Sequence, residues 1–117
     1  DLTFALNIVR ETGRLDIGQC VVVRQGIVAA VEAMEGTDAA IKRGGGLAGP
    51  GCVIVKIAKP GQDERVDLPA VGLQTLETLR SIKATCLGIQ AGKTLFFDQE
   101  QALTLAEESN ISIVGLT

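Results

Sequence analysis

Apolar and polar positions follow one another in blocks that predict alternating helices and strands. Apolar residues at helical spacing over residues 2–9 predict a first helix that Gly13 ends. Two β-type runs, residues 20–24 and 27–32, flank the Gln25-Gly26 pair. Two such runs around a pair that ends in glycine are typical of a tight hairpin, which we predict here.

The middle of the chain predicts a short helix and then the main strand of a sheet. Thr37 or Asp38 can cap a helix over residues 39–43, and the three glycines at 44–46 are predicted to end it. The run over residues 52–57 is the most β-like in the chain, and we predict a central strand there.

The last third repeats the same alternation. Leucines at helical spacing predict a helix over residues 73–82, and the runs at 86–89 and 94–97 predict a second hairpin. Asp98 is predicted to cap a last helix, and residues 111–114 form a final strand. The whole order predicts an α/β fold, with α+β as the other option: a single domain with a mixed sheet of five or six strands and helices packed on it.

Composition narrows the class of protein. The chain has 117 residues, enough for one domain, and 46% of them are apolar. The net charge is −3 and Trp and Tyr are absent, which argues against nucleic-acid binding. Phe4, Phe96 and Phe97 lie in helix-like or strand-like runs, so we predict them in the core, with no platform left for a nucleotide base.

Neither a bilayer-spanning apolar run nor a signal peptide is apparent, so a cytoplasmic location is expected. The chain lacks a starting Met and opens inside a helical pattern, which suggests a piece of a longer protein. Cys20, Cys52 and Cys86 are predicted to be buried, reduced thiols. Because the sequence contains no His and no closely spaced cysteine pair, a Cys/His zinc site is excluded.

A first polar cluster lies where a predicted strand passes into a helix: Glu32, Glu35, Gly36, Thr37 and Asp38. The start of a helix offers free backbone N–H groups and the positive end of its dipole, which suit a phosphate. Glycine allows close approach and Thr37 adds a hydroxyl. A purely structural interpretation is also open, because Thr and Asp are common helix caps and acids favour the first turn.

A second polar cluster follows the predicted central strand. Lys56 lies within the strand and Lys59 follows it, and between Pro60 and Pro69 the cluster continues with Gln62, Asp63, Arg65 and Asp67. A lysine in a buried strand needs a partner or an open end. Lys and Arg can neutralise a phosphate while carboxylates hold a metal ion or orient water. A solvated charged loop is the alternative, so the residues by themselves reach an anion or metal–phosphate site and no substrate.

These same residues resemble a known family in three ordered blocks. The first joins Gly18-Gln19 to Glu35-Gly36-Thr37-Asp38, and the third is Ala91-Gly92-Lys93-Thr94-Leu95. The second begins at Lys42-Arg43-Gly44-Gly45 and continues as Val55-Lys56-x-x-Lys59-Pro60-x-Gln62-Asp63-x-Arg65-x-Asp67-Leu68-Pro69-x-x-Gly72. Together they resemble the C-terminal domain of the LpxI-type UDP-2,3-diacylglucosamine pyrophosphatases, over nearly the whole chain.

The resemblance implies a magnesium-dependent hydrolase, with Mn²⁺ as the other candidate metal, that splits UDP-2,3-diacylglucosamine into UMP and 2,3-diacylglucosamine 1-phosphate (lipid X). It implies that residues 1–117 form the C-terminal catalytic domain. The expected catalytic acid is Asp67, with Asp38 as the second candidate. The expected substrate-binding residues are Gly36, Thr37, Lys56, Lys59, Gln62 and Arg65, and the expected metal ligands are Asp67, Asp38 and Glu35.

The resemblance also implies an N-terminal domain of the same protein as partner, with the lipid-linked sugar nucleotide held between the two domains. Peripheral contact with the inner membrane is compatible with such a substrate, and the oligomeric state stays open. Two other classes of function remain at this point: a non-catalytic module that binds a sugar nucleotide or lipid phosphate, and a structural interaction domain.

Overall fold

A computed structural model describes residues 1–58 and 68–117, and these fold as α/β, as the sequence predicts. In chain order the elements are α1 Leu2–Arg14, β1 Cys20–Arg24, β2 Ile27–Val31, α2 Thr37–Ala48, β3 Val53–Lys56, β4 Ala70–Val71, α3 Leu73–Ser81, β5 Cys86–Gln90, β6 Leu95–Phe96, α4 Gln99–Glu108 and β7 Ser112–Leu116. None of the helices in this described portion is both long and apolar enough to cross a bilayer.

The main sheet has five strands in the order β2-β1-β3-β5-β7 and is mixed. β1 runs antiparallel to β2 and β3, whereas β3, β5 and β7 are parallel. The predicted β1–β2 hairpin and the central place of β3 are therefore confirmed. The ends of β2 and β3 and the start of β1 meet at one edge of the sheet, and α2 begins shortly after β2 at that edge.

Alternation along the strands produces two cores on opposite faces of this sheet. Val21 and Val55 pack with α1 on one face. Val22, Ile54 and Leu87 pack with α2, α3 and α4 on the other. Successive residues of a strand thus pack into alternate cores, because their side chains point to opposite faces of the sheet. The result is three layers, with the sheet between helices.

The prediction that the glycines at 44–46 end a helix is wrong, because α2 continues through them to Ala48. Close packing is the reason for two of them. A Cβ on Gly44 would lie 2.7 Å from the Cβ of Val22, and one on Gly45 would lie 2.4 Å from the Cβ of Ile82. Glycine here lets α2 approach both the sheet and the end of α3, at the expense of helix propensity.

We expect neighbouring glycines of α2 to respond oppositely to alanine. Gly45→Ala should lower the free energy of unfolding by about 1–3 kcal/mol, because its methyl group overlaps a branched side chain. Gly46→Ala is the matched control: nothing lies within 4 Å of its Cβ position, and alanine should stabilise the helix by about 0.5–1 kcal/mol. Urea unfolding measures both values. Equal effects of the two substitutions would contradict this packing.

The predicted second hairpin is also wrong. β5 lies within the main sheet between β3 and β7, while β6 pairs with β4 in a separate two-stranded parallel sheet. β5 is packed on both faces: Leu87 belongs to one core, and Gly88 lies against side chains from the other face. A strand that is buried on both faces is typical of a parallel sheet, and that burial outweighs the local Ala91-Gly92 turn signal.

Two helix ends differ in detail from the predictions. α1 does not stop at Gly13, which is buried within it, and ends one residue later at Arg14. Asp98 occupies the N-cap position of α4, but its side chain makes no capping hydrogen bond and its backbone is left-handed, with φ 50°. The side-chain cap predicted from Asp98 is therefore absent, although the helix itself is confirmed.

Candidate active site

A cleft of about 350 Å³ opens at the edge of the sheet where β3 ends. Three elements converge there: the end of β3, the start of α2 and the start of α3. The side chains and backbone that line it belong to Thr37, Asp38, Lys56, Ala70, Gly72, Gln74, Thr75 and Phe97. Ligand sites in α/β proteins commonly lie outside the carboxyl ends of the strands, and this cleft has that position.

Lys56 brings a positive charge into the cleft. Its side chain lies on the same face of β3 as Ile54, toward the core formed with α2, α3 and α4. Its ammonium nitrogen donates a hydrogen bond of 2.8 Å to the carbonyl oxygen of Ala70, which ties β3 to β4. A lysine ammonium carries three N–H donors, and among residues 1–58 and 68–117 the bond to Ala70 uses one of them.

The starts of α2 and α3 add free backbone donors. α2 begins after Gly36, whose φ of 93° suits glycine, and no side chain caps this helix. Its first internal hydrogen bond runs from Ala40 N–H to the Gly36 carbonyl at 3.1 Å, so the preceding N–H groups have no partner within the helix. α3 starts in the same way, from Leu76 N–H to the Gly72 carbonyl at 3.2 Å. Both positive helix ends therefore serve one cleft with Lys56.

The hydroxyl of Thr37 is oriented by a half-buried carboxylate. Thr37 donates its proton to Glu32 at 3.2 Å, and the other Glu32 oxygen accepts the backbone N–H of Gln19 at 3.0 Å. A hydroxyl that gives its proton to a carboxylate presents only lone pairs to its other neighbours. The Thr37 hydroxyl is therefore better suited to contact a cation or a water molecule than to make the predicted contact with phosphate.

The Thr75 hydroxyl has the opposite hydrogen-bonding role to that of Thr37. Its hydroxyl oxygen accepts the backbone N–H of Gly72 at 3.2 Å, which leaves its proton available as a donor. The cleft therefore offers one threonine as an acceptor and another as a donor.

Gly18 allows the close approach of the backbone around Glu32, because a Cβ at Gly18 would lie 2.1 Å from the Glu32 carbonyl oxygen.

Of the predicted metal ligands, the described structure places only Asp38 in the cleft. Glu35 does not line it, and both of its carboxylate oxygens accept hydrogen bonds from Arg43, one of them at 3.1 Å. The hydrogen bond from Arg43 lowers the pKa of Glu35 below its usual value, which keeps the carboxylate charged. Asp67, Lys59, Gln62 and Arg65 lie outside the described residues, so their predicted roles stay predictions.

The residues present suit a hard divalent cation. Asp38 supplies a carboxylate and Thr37 an oxygen whose lone pairs are free, and Mg²⁺ prefers such oxygen ligands. Across residues 1–58 and 68–117, three or more acids, histidines or cysteines do not cluster in a geometry that could hold a metal. A cation here would therefore need further oxygens, from water, from the phosphate or from Asp67.

The three cysteines take no part in this site. Cys20 and Cys52 are buried and Cys86 is half-buried, and all three are free thiols. Burial raises the pKa of Cys20 to about 12 and also raises the pKa of the other two. Thiols that stay protonated are poor nucleophiles, which agrees with the predicted structural role.

Sequence reasoning missed the contribution of the α3 start. Gly72, Gln74, Thr75 and Phe97 line the cleft without having been predicted as site residues. A signal existed for two of them, since Gly72 closes the second family block and Thr75 follows it at capping-box spacing. Phe97 gave no such signal: it was predicted in the core, yet it is 58% exposed at the cleft.

Comparison with known proteins agrees with the resemblance in sequence. Residues 1–114 match the family described as the LpxI C-terminal domain. The UDP-2,3-diacylglucosamine pyrophosphatase LpxI of Caulobacter vibrioides is 41% identical to this chain over 128 residues. That alignment covers 99% of the chain and 44% of the relative, so the chain spans less than half of the relative's length. On these grounds the chain belongs to the LpxI family, in which it matches the C-terminal domain.

Proposed function

We propose that the cleft binds the diphosphate of UDP-2,3-diacylglucosamine and hydrolyses it to UMP and 2,3-diacylglucosamine 1-phosphate, a step of lipid A biosynthesis. The single observation that carries the proposal is the convergence of Lys56 with two uncapped helix starts on one cleft. That arrangement suits an anion with several oxygens, and the 41% identity to a pyrophosphatase of this specificity supplies the substrate class.

In this proposal the two phosphoryl groups lie between the starts of α2 and α3. Lys56 neutralises part of their charge, and the backbone N–H groups of both first turns donate to the non-bridging oxygens. The Thr75 proton donates to a further oxygen. These donors are fixed by the fold before the substrate arrives, so they stabilise the charge that develops in the transition state without reorganising.

The reaction breaks one P–O bond of the P–O–P bridge. A water oxygen attacks one phosphorus, the bridging oxygen leaves with the other phosphoryl group, and the water proton passes to a carboxylate. We assign that carboxylate to Asp67 and keep Asp38 as the second candidate, because Asp38 lines the cleft and Ala70, which also lines it, follows Asp67 by three positions. Gly36 contributes by setting the backbone at the α2 start.

Asp38, the Thr37 oxygen and Asp67 would hold Mg²⁺, or Mn²⁺ in its place. When bound, such an ion supplies positive charge that offsets the charge of the phosphoryl oxygens. Glu32 keeps the Thr37 lone pairs turned toward the cleft and so acts as a positioning residue. Glu35 is the third acid predicted as a ligand, and that role requires its pair with Arg43 to open.

Metal dependence gives a testable consequence. Exhaustive chelation should abolish turnover, and added Mg²⁺ or Mn²⁺ should restore it. Titration of Mn²⁺ by electron paramagnetic resonance gives a second readout without turnover: Thr37→Val should weaken Mn²⁺ binding about tenfold, whereas Thr37→Ser keeps the oxygen and should bind as the parent does. Full turnover in chelator, or equal Mn²⁺ binding by Thr37→Val, would contradict this assignment.

The proposal includes a second domain as partner. The substrate combines a diphosphate, a nucleoside and two acyl chains, which exceed what one cleft of this size encloses. We therefore expect the chain alone to hydrolyse the substrate far more slowly than it does together with the N-terminal domain of its family. The reaction belongs in the cytoplasm, with peripheral contact at the inner membrane through the acylated substrate.

The decisive experiment assays the chain in detergent with UDP-2,3-diacylglucosamine and Mg²⁺, with and without the N-terminal domain of the relative. Release of UMP that depends on metal supports a hydrolase. Stabilisation of the chain by substrate without any release, under both conditions, would instead favour a binding module. The absence of both stabilisation and release would return the cleft to a structural role.

A further inference from the structure

Phe97 lies where a core residue was expected but faces solvent. The preceding residue, Phe96, packs against the main core, whereas Phe97 is 58% exposed and lines the cleft beside Lys56. Phe96 is the last residue of β6, whereas Phe97 lies in the turn between β6 and α4, outside the paired strand. Single exposed apolar side chains are common on protein surfaces, but this one lies in the lining of the cleft that we propose to bind the diphosphate.

The position of Phe97 is fixed by its backbone. Its N–H donates to the Val71 carbonyl oxygen at 2.8 Å, which continues the β4–β6 pairing. Gly72 lies directly against it: a Cβ on Gly72 would be 3.0 Å from the Phe97 carbonyl oxygen and 3.3 Å from the Phe97 Cβ. The start of α3 and the Phe97 ring are thus held side by side at the cleft.

Gln74 provides polar groups next to this ring. It lies in the first turn of α3, is exposed, and lines the same cleft. Within the part of the chain that the structure describes, its side-chain amide has no hydrogen-bond partner. An amide carries both an acceptor oxygen and an NH₂ donor. A flat ring with a donor and acceptor on its edge would therefore meet both an apolar face and a matching polar group.

We propose that Phe97 and Gln74 form the subsite for the uracil base, with the ring stacked on Phe97 and its N3–H and a neighbouring carbonyl paired with the Gln74 amide. This inference rests on the proposed function and names which part of that substrate the cleft takes beyond the diphosphate. An acyl chain fits less well, since among the described residues of the lining Phe97 is the one large apolar side chain beside mostly polar or small neighbours.

The test uses the absence of Trp and Tyr from the chain. Phe97→Trp introduces one fluorophore at the subsite and keeps an aromatic surface for stacking. We expect UMP to quench its fluorescence in a saturable way, with an affinity close to that of the parent chain measured by calorimetry. Inorganic pyrophosphate, which has no base, should bind the same variant while changing the fluorescence little.

Phe97→Leu removes the aromatic ring but keeps a large apolar side chain. UMP affinity should fall about tenfold, as expected for one lost base–aromatic stack, while pyrophosphate affinity should stay within about twofold. Leu95→Ala is the matched control, because Leu95 is 44% exposed on the adjoining strand β6 but does not line the cleft. Gln74→Met keeps the side-chain length without the amide and should weaken UMP binding while leaving pyrophosphate binding unchanged.

The outcomes separate this inference from the proposed function. Unchanged UMP affinity in Phe97→Leu, with substrate still hydrolysed, would overturn the base subsite and leave the hydrolase proposal standing. Weaker binding of 2,3-diacylglucosamine 1-phosphate, with UMP unaffected, would also overturn it and assign the ring to an acyl chain. If the parent chain bound neither UMP nor pyrophosphate and showed no turnover with its partner domain, the proposed function itself would fail.

Discussion

Replacing Asp67 with asparagine is expected to lower kcat by about 10²–10⁴-fold, the range typical of removing a general acid or base. The change keeps the size and polarity of the side chain but removes the negative charge that accepts a proton or holds a cation. The melting temperature should remain near that of the parent, because the substitution alters the charge of one side chain and not its volume. Turnover of UDP-2,3-diacylglucosamine by the chain with its partner domain measures the effect.

Glu64→Gln is the matched control for this prediction. Glu64 lies three positions before Asp67 at a position that the second family block leaves open, so we expect its charge to be dispensable. Full activity of Asp67→Asn would refute the assignment and make Asp38→Asn the next variant to examine. A large fall in melting temperature of Asp67→Asn would instead show a structural role for the carboxylate.

Lys56→Met should lower kcat by about 10²–10³-fold, comparable to the loss of one donor that stabilises a developing oxyanion. Methionine retains most of the aliphatic stem but removes the charge and the hydrogen bond to the Ala70 carbonyl. Because that bond ties β3 to β4, some loss of stability is also expected, about 1.5–3 kcal/mol for a hydrogen bond with a charged donor. Pyrophosphate binding, measured on protein shown to be folded, isolates the electrostatic effect.

Two further variants separate charge from packing at this position. Lys56→Arg keeps the positive charge and should retain measurable pyrophosphate binding. Lys42→Met removes a lysine that is exposed on α2 and does not line the cleft, so it should leave binding unchanged. If Lys56→Met bound pyrophosphate as tightly as the parent, the cleft would not be the phosphate site.

Local patterns in the sequence predicted the helices and strands of this fold better than they predicted which strands pair with each other. The run at 52–57 became the central strand because its apolar residues are buried whichever face they point to. The run at 86–90 has the same character, yet its partners lie at 53–56 and 112–116, far away in sequence. Pairing depends on such long-range burial, so the nearby Ala91-Gly92 turn was misleading.

Some features of the candidate site could likewise be predicted from the sequence, and others depend on contacts between distant residues. Lys56 could be predicted to line a site because a lysine inside an apolar strand stands out, and Thr37 and Asp38 because the start of a helix suits a phosphate. The orientation of the Thr37 hydroxyl could not, since it depends on a contact with Glu32 across the strand–helix connection. Phe97 was missed because exposure of one aromatic residue in an apolar run is decided by the separate β4–β6 sheet.

A phosphorus label shows directly which bond of the substrate breaks. UDP-2,3-diacylglucosamine carrying ³²P in the phosphate attached to the sugar is incubated with Mg²⁺, the chain and the N-terminal domain of its family, and the products are separated by chromatography. Cleavage of the diphosphate bridge predicts that all released label stays with the lipid as 2,3-diacylglucosamine 1-phosphate, beside unlabelled UMP. Label that appears in UDP would mean cleavage at the sugar, and label that remains in intact substrate would mean no hydrolysis; either result would contradict the account.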